Sequence, residues 1–596
     1  MQKRPRFGGR PLSRGARFRE YYLSFVSTLA VLYALLMAFL ALGQVAGAGN
    51  SLAHLSRYSQ VPIWTHRYGF PTIFAIFMFV LAYHLWFKKR TALLVLVAFI
   101  ALKAAFDILG GLHAGAAIVS AIDAVFLLTA WGAFVVTPDP FYIRRCIGVA
   151  IITVPALALY GVVGLYLGRR EYLVSTAVPS LIKNTWLMIV GRNDIPFVGR
   201  DLVFKWSLII VALLVFAYLL FLLFRPHRPP SEYTWEDEET ARALLEDFGS
   251  DSFAYFNTRK GKSYFFLSDR CFLAYQVVGG MAVISADPIG PEDLFYRLLT
   301  DFKVYCARMG WRMAGVGQTD RTSELFRHLG LHVFKLGEEA IIDVTRFTLE
   351  GREMRKLRQS VNHIERGGIG VEFMFNAGIP AHVRHELQEI SRTWRGDNPE
   401  AGYSMGLGRL LSVSDPDCLL SLANDDNSKP TGFQYWVPMY PHLGYSLDVT
   451  RTKLTAPRPL SDYLIAKTAL FLKDEGYKSL SLHFLALAQY YRTGSAEKKS
   501  KLWGKLAVVI DRWFPVVSAY AFDRKFSPDY ISRYMIYPSH LEFLRAALTV
   551  VVAESALKLT GRAERKSREQ AARTEEALQD KRKQAAPVNK CDHGSF

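Results

Sequence analysis

The stretch Cys271-Phe-Leu-Ala-Tyr-Gln-Val-Val-Gly-Gly-Met-Ala-Val-Ile-Ser-Ala286 holds two β-rich runs in succession. With Tyr264–Leu267 just before it, it reads as hairpin strands rather than helix. A helix is predicted over about 291–309, then strands near 311–316 and 338–344. A second round of the same order begins after a helix over about 350–366. Its strands are predicted near 370–375, 417–423, 431–438, 443–449, 478–486 and 530–537, with helices near 381–393 and 458–475. No residue-level repeat accompanies this, so the duplication is architectural. The reading is two tandem acyltransferase-like α/β units.

Working back toward the N-terminus, the character changes. Hydrophobic residues make up 51% of the 596, and mean hydropathy is +0.12, high for a soluble chain and low for an all-membrane one. Apolar runs at about 22–43, 70–87, 91–109, 115–136, 146–167 and 204–224 each approach the length that crosses a bilayer. The first has no cleavage-site pattern and reads as an anchor. With six spans, basic clusters fall on one side: Lys3 to Arg19, Lys88 to Arg90, Arg144 with Arg145, and Arg225 with Arg228. That side is cytoplasmic by the positive-inside rule, although Arg169, Arg170, Arg192 and Arg200 weaken the bias. Lys103, Asp107 and Asp123 lie within the spans, either as an ion pair fixing helix packing or as a polar path for a head group.

The domain boundaries follow. A basic arm covers 1–20, a transmembrane domain 21–225 and a linker 226–245, followed by units at 246–360 and 361–545 and a charged helical or flexible tail at 546–596. Net charge is +19, so nucleic acid or anionic lipid is the expected partner. Five scattered cysteines exclude a disulfide framework and a zinc site, and neither a metal nor a cofactor is expected.

Two residues carry the sharpest chemistry. Asp448 and Arg451, in Gly444-Tyr-Ser-Leu-Asp-Val-Thr-Arg451, can hold an ammonium and a phosphate side by side, or can form a salt bridge at a strand end. On a regular strand residues three apart face opposite ways, so a shared pocket demands that the strand end or bulge near Val449. In the helix after residue 350, Met354, Leu357, Val361 and Ile364 recur at helical spacing and are expected to pack inward. That leaves Arg352, Arg355 and Arg358 for tRNA or lipid phosphates, or for solvent. Leu541, Leu544, Leu548, Val551 and Val552 form an apolar stripe that either packs on the domain, the commoner outcome, or lies on a membrane.

Several segments resemble the catalytic domain of the lysylphosphatidylglycerol synthases, the multiple peptide resistance factor family. They are Ala286–Pro291, Gly337–Ala340, Met354–Arg358, Gly402–Arg409, Ser446–Arg451, Ser481–Phe484 and Lys525–Tyr534, in the family's order. The likeness is greatest to the branch fused to a lysyl-tRNA synthetase. The sequence ends soon after the domain, so a separate synthetase is expected to supply the charged tRNA.

The resemblance implies a fold of tandem acetyltransferase-like (GNAT) units and an aminoacyl-tRNA-dependent phosphatidylglycerol aminoacyltransferase, using lysine or another amino acid. Its setting would be a bacterial plasma membrane, with the catalytic domain cytoplasmic. Its product lowers envelope negative charge and confers resistance to cationic antimicrobial peptides, a form of antibiotic resistance. It implies catalytic roles for Asp448 and Arg451, and substrate binding by Glu338 and Glu339. His483, Lys525 and Arg533 are further substrate-binding candidates, the last two toward phosphates. Asp287 joins the glutamates as a candidate partner for a lysine ε-ammonium. Two alternatives stay open: an acyl-CoA-dependent membrane acyltransferase, and a lipid flippase whose soluble domain is regulatory. The usual coenzyme A loop of acetyltransferases is missing from the sequence, which weighs against the former.

Overall fold

The computed structural model describes residues 14–45, 70–109, 114–168, 177–189, 200–228, 235–396, 406–486 and 516–554. The chain forms two compact units, one of residues 1–229 with 303–312 and one of 230–302 with 313–596.

In the first unit the helices are α1 (Arg14–Val45), α2 (Phe70–Trp86), α3 (Arg90–Leu109), α4 (Ala114–Thr129), α5 (Pro140–Leu167), α6 (Val178–Ile189) and α7 (Arg200–Leu223). Three stretches are long and apolar enough to cross a membrane: Tyr21–Leu42, Pro140–Leu167 and Val203–Leu223. Phe74–Trp86, Arg90–Leu102 and Ile118–Ala133 are shorter apolar helices. Ala30, Ala34, Ala38 and Ala41 of α1 pack with Ala75, Met78 and Ala82 of α2. Small side chains at such positions let two helix backbones approach closely where no hydrophobic effect drives association. Gly161 plays the same part on α5, since an added Cβ there would strike Thr185 of α6. The outward surface of α5 is apolar, with Ile147, Ile151, Ile152 and Leu159 exposed, as a lipid-facing helix requires. Lys103 and Asp107 lie on α3, but their side chains fall outside the described residues; Asp123 is beside Tyr33 of α1.

The second unit is α/β. The stretch expected to be a linker over 226–245 is helical from Trp235, as α8 (Trp235–Phe248). Its acidic first turn, Glu236 to Glu238, suits a helix N-terminus, and Ala241, Leu244 and Leu245 bury one face. Then follow β1 (Ser263–Leu267), β2 (Cys271–Val278), β3 (Met281–Ile289), α9 (Phe295–Met309), β4 (Arg312–Gln318), α10 (Asp320–His328) and β5 (His332–Asp343), with residues 303–309 of α9 and Arg312 belonging to the first unit. The second round is α11 (Arg355–Arg366), β6 (Gly370–Phe375), α12 (Ala381–Arg395), β7 (Leu419–Asn424), β8 (Pro430–Met439), β9 (Gly444–Thr452), α13 (Leu460–Asp474) and β10 (Ser479–Ala486). It closes with α14 (Val516–Asp523), β11 (Asp529–Tyr537) and α15 (Phe543–Ala553).

All eleven strands join one sheet in the order β1-β2-β3-β4-β11-β5-β10-β9-β8-β7-β6. The last strand therefore crosses back to lie between β4 and β5, antiparallel to both. β9 and β10 form a parallel pair. Two cores cover the two faces of the β7–β10 region. One holds Leu357, Val361 and Ile364 of α11 with Leu464 of α13, Tyr445 and Leu447 of β9, and Leu480 of β10. The other holds Leu387 and Ile390 of α12 with Leu407, Phe433, Tyr435 and Val437. The helical spacing read in residues 354–364 thus does face inward. The C-terminal stripe does not: Leu541, Leu544 and Leu548 are exposed, while Ala546, Val550 and Ala553 make the contact instead.

Candidate functional site

The register of β9 against β8 slips at one residue. Tyr435 pairs with Val449 and Trp436 with Leu447, so Asp448 is the extra residue of a β-bulge. The packing records the same slip. Tyr445 and Leu447 enter the core under α11 and α13, whereas Val449 packs in the opposite core, under α12. Two residues apart on a regular strand would share a face. Past the bulge, Arg451 is 8% exposed and turned toward α12. Its Nε donates to Ser391 Oγ at 3.4 Å, and its guanidinium lies 4.3 Å from the ring centre of Trp394. Asp448 Oδ1 accepts the backbone N–H of Leu407 at 2.8 Å, and Leu407 packs in that same core. The bulge therefore brings Asp448 and Arg451 to one side of the sheet.

The parallel partner strand shapes the space beside them. Gly444–Ser446 pair with Ser479–Ser481, after which β9 keeps only its pairing with β8 and β10 only its pairing with β5. No further pairing joins β9 to β10 among the described residues. Two parallel strands that part in this way leave a crevice at their C-terminal ends, the usual place for a ligand in such sheets. Ser446 stands at the parting point, fully buried, and its Oγ has no hydrogen-bond partner among the described residues. A buried hydroxyl is ordinarily paired, so a polar group of a ligand or a water suits that position.

The segment from 406 to 415 that presents Leu407 is pinned by charge. Arg409 reaches Asp415 with Nε to Oδ2 at 2.6 Å and Nη2 to Oδ1 at 2.7 Å, and donates to Thr258 O at 2.7 Å. Arg242 and Tyr255 also donate to Asp415 Oδ1, at 3.3 and 3.0 Å. Burial alone would raise the Asp415 carboxyl, but the facing Arg409 and Arg242 hold it below the usual range. Arg259 donates to Gly406 O at 2.8 Å, fixing the other end. A backbone N–H aimed at a carboxylate stabilises the charged form only if its loop is rigid, and these bonds make it so.

A second polar cluster lies two strands away. Glu339 of β5 is fully buried and accepts from Arg533 of β11, Nε at 2.8 Å and Nη2 at 2.6 Å, and from Ser481 of β10. Arg533, 1% exposed, also donates to Asp251 Oδ1 at 2.6 Å, Ser252 Oγ at 2.8 Å and Gly317 O at 3.2 Å. Burial works against its charge, but Asp251 and Glu339 raise its pKa all the same. Asp287, at the irregular end of β3, accepts from the backbone N–H of Thr319 at 3.1 Å and from its hydroxyl. Burial, then the negative charge of Asp251, push the Asp287 carboxyl up to about 6.

The remaining expected residues are placed as follows. Glu338 is buried and meets Lys335 at 2.7 Å, so the adjacent glutamates have separate partners. Arg533 is not offered to a phosphate: its guanidinium is caged by carboxylates, because β11 is an interior strand. Lys525 pairs with Asp462 of α13, at 2.8 and 3.0 Å, rather than standing free for a phosphate. His483 lies on β10 where the register against β5 slips between Ser481 and Phe484, and its side chain is outside the described residues. Arg352 and Arg355 are exposed, whereas Arg358 turns inward onto the carbonyls of Leu349 and Gly351. Sequence reasoning missed Asp251 and Asp415. The Asp415-Pro416 step, six residues after Arg409, was the available signal for the latter.

Residues 242–537 match the family model described as phosphatidylglycerol lysyltransferase, C-terminal. The lysylphosphatidylglycerol biosynthesis bifunctional protein LysX of Rhodococcus jostii (strain RHA1) is 31% identical over 342 residues, covering 56% of this chain and 31% of that protein. The protein of the same name from Mycobacterium avium (strain 104) is 29% identical over 541 residues, covering 88% of this chain and 40% of that one. The chain thus spans well under half the length of these curated relatives. The solved structure of L-PGS from Bacillus licheniformis superposes with a TM-score of 0.48 at 23% identity, covering 53% of this chain and 96% of that one.

Proposed function

Because residues 242–537 belong to the phosphatidylglycerol lysyltransferase C-terminal family, we propose that this chain is a membrane aminoacyltransferase. It moves lysine from lysyl-tRNA to a glycerol hydroxyl of phosphatidylglycerol, on the cytoplasmic side of a bacterial plasma membrane. The observation that carries the reading is the bulge at Asp448, which sets that carboxylate and Arg451 on one side of β9 beside the crevice between β9 and β10.

An aminoacyl ester is already activated, so juxtaposition and proton transfer are the main needs. The lipid hydroxyl oxygen attacks the ester carbonyl carbon; a new C–O bond forms and the bond to the tRNA ribose oxygen breaks. The proton leaves the lipid hydroxyl and ends on that ribose oxygen. Asp448 is placed to accept it or to hold the substrate ammonium, with its charge fixed by the N–H of Leu407. Arg451 suits a phosphate oxygen through its planar donor fork. Exposed Arg352 and Arg355 suit the tRNA backbone.

We also read the sheet as two acetyltransferase-like halves, β1–β5 and β6–β10, tied by β11. The three shorter apolar helices join the three long ones as six spans. A separate synthetase supplies the donor, and the product lowers envelope charge against cationic peptides.

The test supplies membranes carrying the full chain with lysyl-tRNA or alanyl-tRNA labelled in the amino acid. Label appearing in phosphatidylglycerol, abolished by RNase, supports the reading and names the amino acid. RNase-resistant transfer points to another acyl donor. No transfer from either tRNA would overturn it.

A further inference from the structure

The helix α15 is apolar on two sides. Ala546, Val550 and Ala553 pack against Met281, Val283 and Val316. Away from that contact, Leu544 is 69% exposed and Leu548 52%, and Leu541, in the turn before the helix, is 98% exposed. The spacing 541, 544, 548 stacks the three leucines along one side. Arg545 stands next to them and holds the Gly279 carbonyl at 2.8 Å. A leucine stripe left in water marks a contact surface.

Connectivity and charge point to what covers it. The same chain carries helices that can cross a membrane, the last ending at Leu223. Residues 224–234 lead from there to α8, a stretch that extends to about 40 Å at most. The second unit is therefore tethered near a bilayer surface. From the ninth residue past Ala553 the sequence carries Arg562, Arg565, Lys566 and Arg568, interleaved with Glu564 and Glu569. Basic residues that follow an apolar helix face in sequence are a combination that binds anionic lipid surfaces.

We propose that the Leu541–Leu544–Leu548 stripe rests in the interfacial region of an anionic bilayer and docks the second unit there. This deepens the proposed function by giving the domain a fixed approach to its lipid, and it rests on that reading for that consequence alone.

The test uses the full chain in phosphatidylglycerol nanodiscs, one copy per disc, with Cys146 and Cys591 changed to Ser. A spin label is placed at Leu544→Cys or Leu548→Cys, with Asp529→Cys, whose side chain is 75% exposed, as the control. The expected result is high accessibility to oxygen and low accessibility to a water-soluble nickel complex at 544 and 548, reversed at 529. The same pattern is expected in a chain ending at Glu554. Nickel-accessible labels at 544 and 548 would overturn the inference. So would protection that vanishes in the shortened chain, which assigns the stripe to the tail, or protection seen only with two copies per disc. These signals do not depend on turnover, so they separate failure of docking from failure of the transferase reading. If both hold, Leu544→Glu/Leu548→Glu raises the apparent KM for phosphatidylglycerol in vesicles about tenfold without abolishing transfer.

Discussion

Replacing Arg533 by Met removes the cationic partner that Glu339, fully buried, has among the described residues. Methionine fills much of the arginine's stem volume, so the change isolates charge from packing. Breaking a buried pair from one side costs about 3–5 kcal/mol, because the remaining charge is stranded. The Asp251 side chain is 23% exposed and can regain water, so only Glu339 bears the full penalty. The expected loss at pH 7.5 is therefore about 3–4 kcal/mol. A stranded carboxylate has its folded pKa raised, so the penalty is present at neutral pH and shrinks as acid protonates it. Arg533→Met with Glu339→Gln should be less damaging than Arg533→Met alone by about 1–2 kcal/mol. Urea unfolding in detergent, followed by tryptophan fluorescence, reads both numbers at pH 7.5 and pH 5. A loss under about 1 kcal/mol, or one independent of pH, would refute the caged-pair argument.

Three further outcomes are expected. Asp287→Asn should stabilise the second unit at pH 7 by about 2–3 kcal/mol, the worth of a carboxyl raised from 3.8 to about 6. In the parent, stability is expected to fall as pH rises from about 4 to about 6, and in the variant that slope should flatten; denaturation midpoints across that range check it. Lys262 is fully buried, held by Phe256 O and Ser285 Oγ at 2.8 Å each, and burial lowers its pKa well below 10.5. The unfolded chain binds that proton more tightly, so parent stability should rise with pH between the lowered value and 10.5, and Lys262→Met should remove the rise in the same assay. Leu407→Pro deletes the N–H that Asp448 accepts and should cut kcat at least tenfold, with the acidic limb of the rate profile moved to higher pH. An unshifted limb would contradict a positioning role.

What the sequence made legible was local. Period-two and continuous apolar runs placed Cys271–Val278 and Gly370–Phe375 as the structure has them, and helical spacing found the buried face of α11. What it hid was long-range. Nothing in residues 529–537 announces that β11 crosses to lie between β4 and β5, yet that placement decides that Arg533 faces Glu339 and Asp251 instead of a phosphate. The partner of Lys525 was hidden for the same reason, Asp462 being 63 residues away. For Asp448 and Arg451 the sequence stated the demand, a break in alternation, but the bulge needs the register of β8 to exist. The expected linker over 226–245 is helical from Trp235, because Glu236 to Glu238 suit a helix start.

The central claim is that Asp448 serves transfer of an amino acid to phosphatidylglycerol. Lipids from cells expressing the parent chain or Asp448→Ala, fed labelled lysine, can be separated by thin-layer chromatography. The account expects a labelled, ninhydrin-positive phosphatidylglycerol derivative with the parent and none with Asp448→Ala at equal membrane expression. The same lipid from both chains, or from neither, would contradict it.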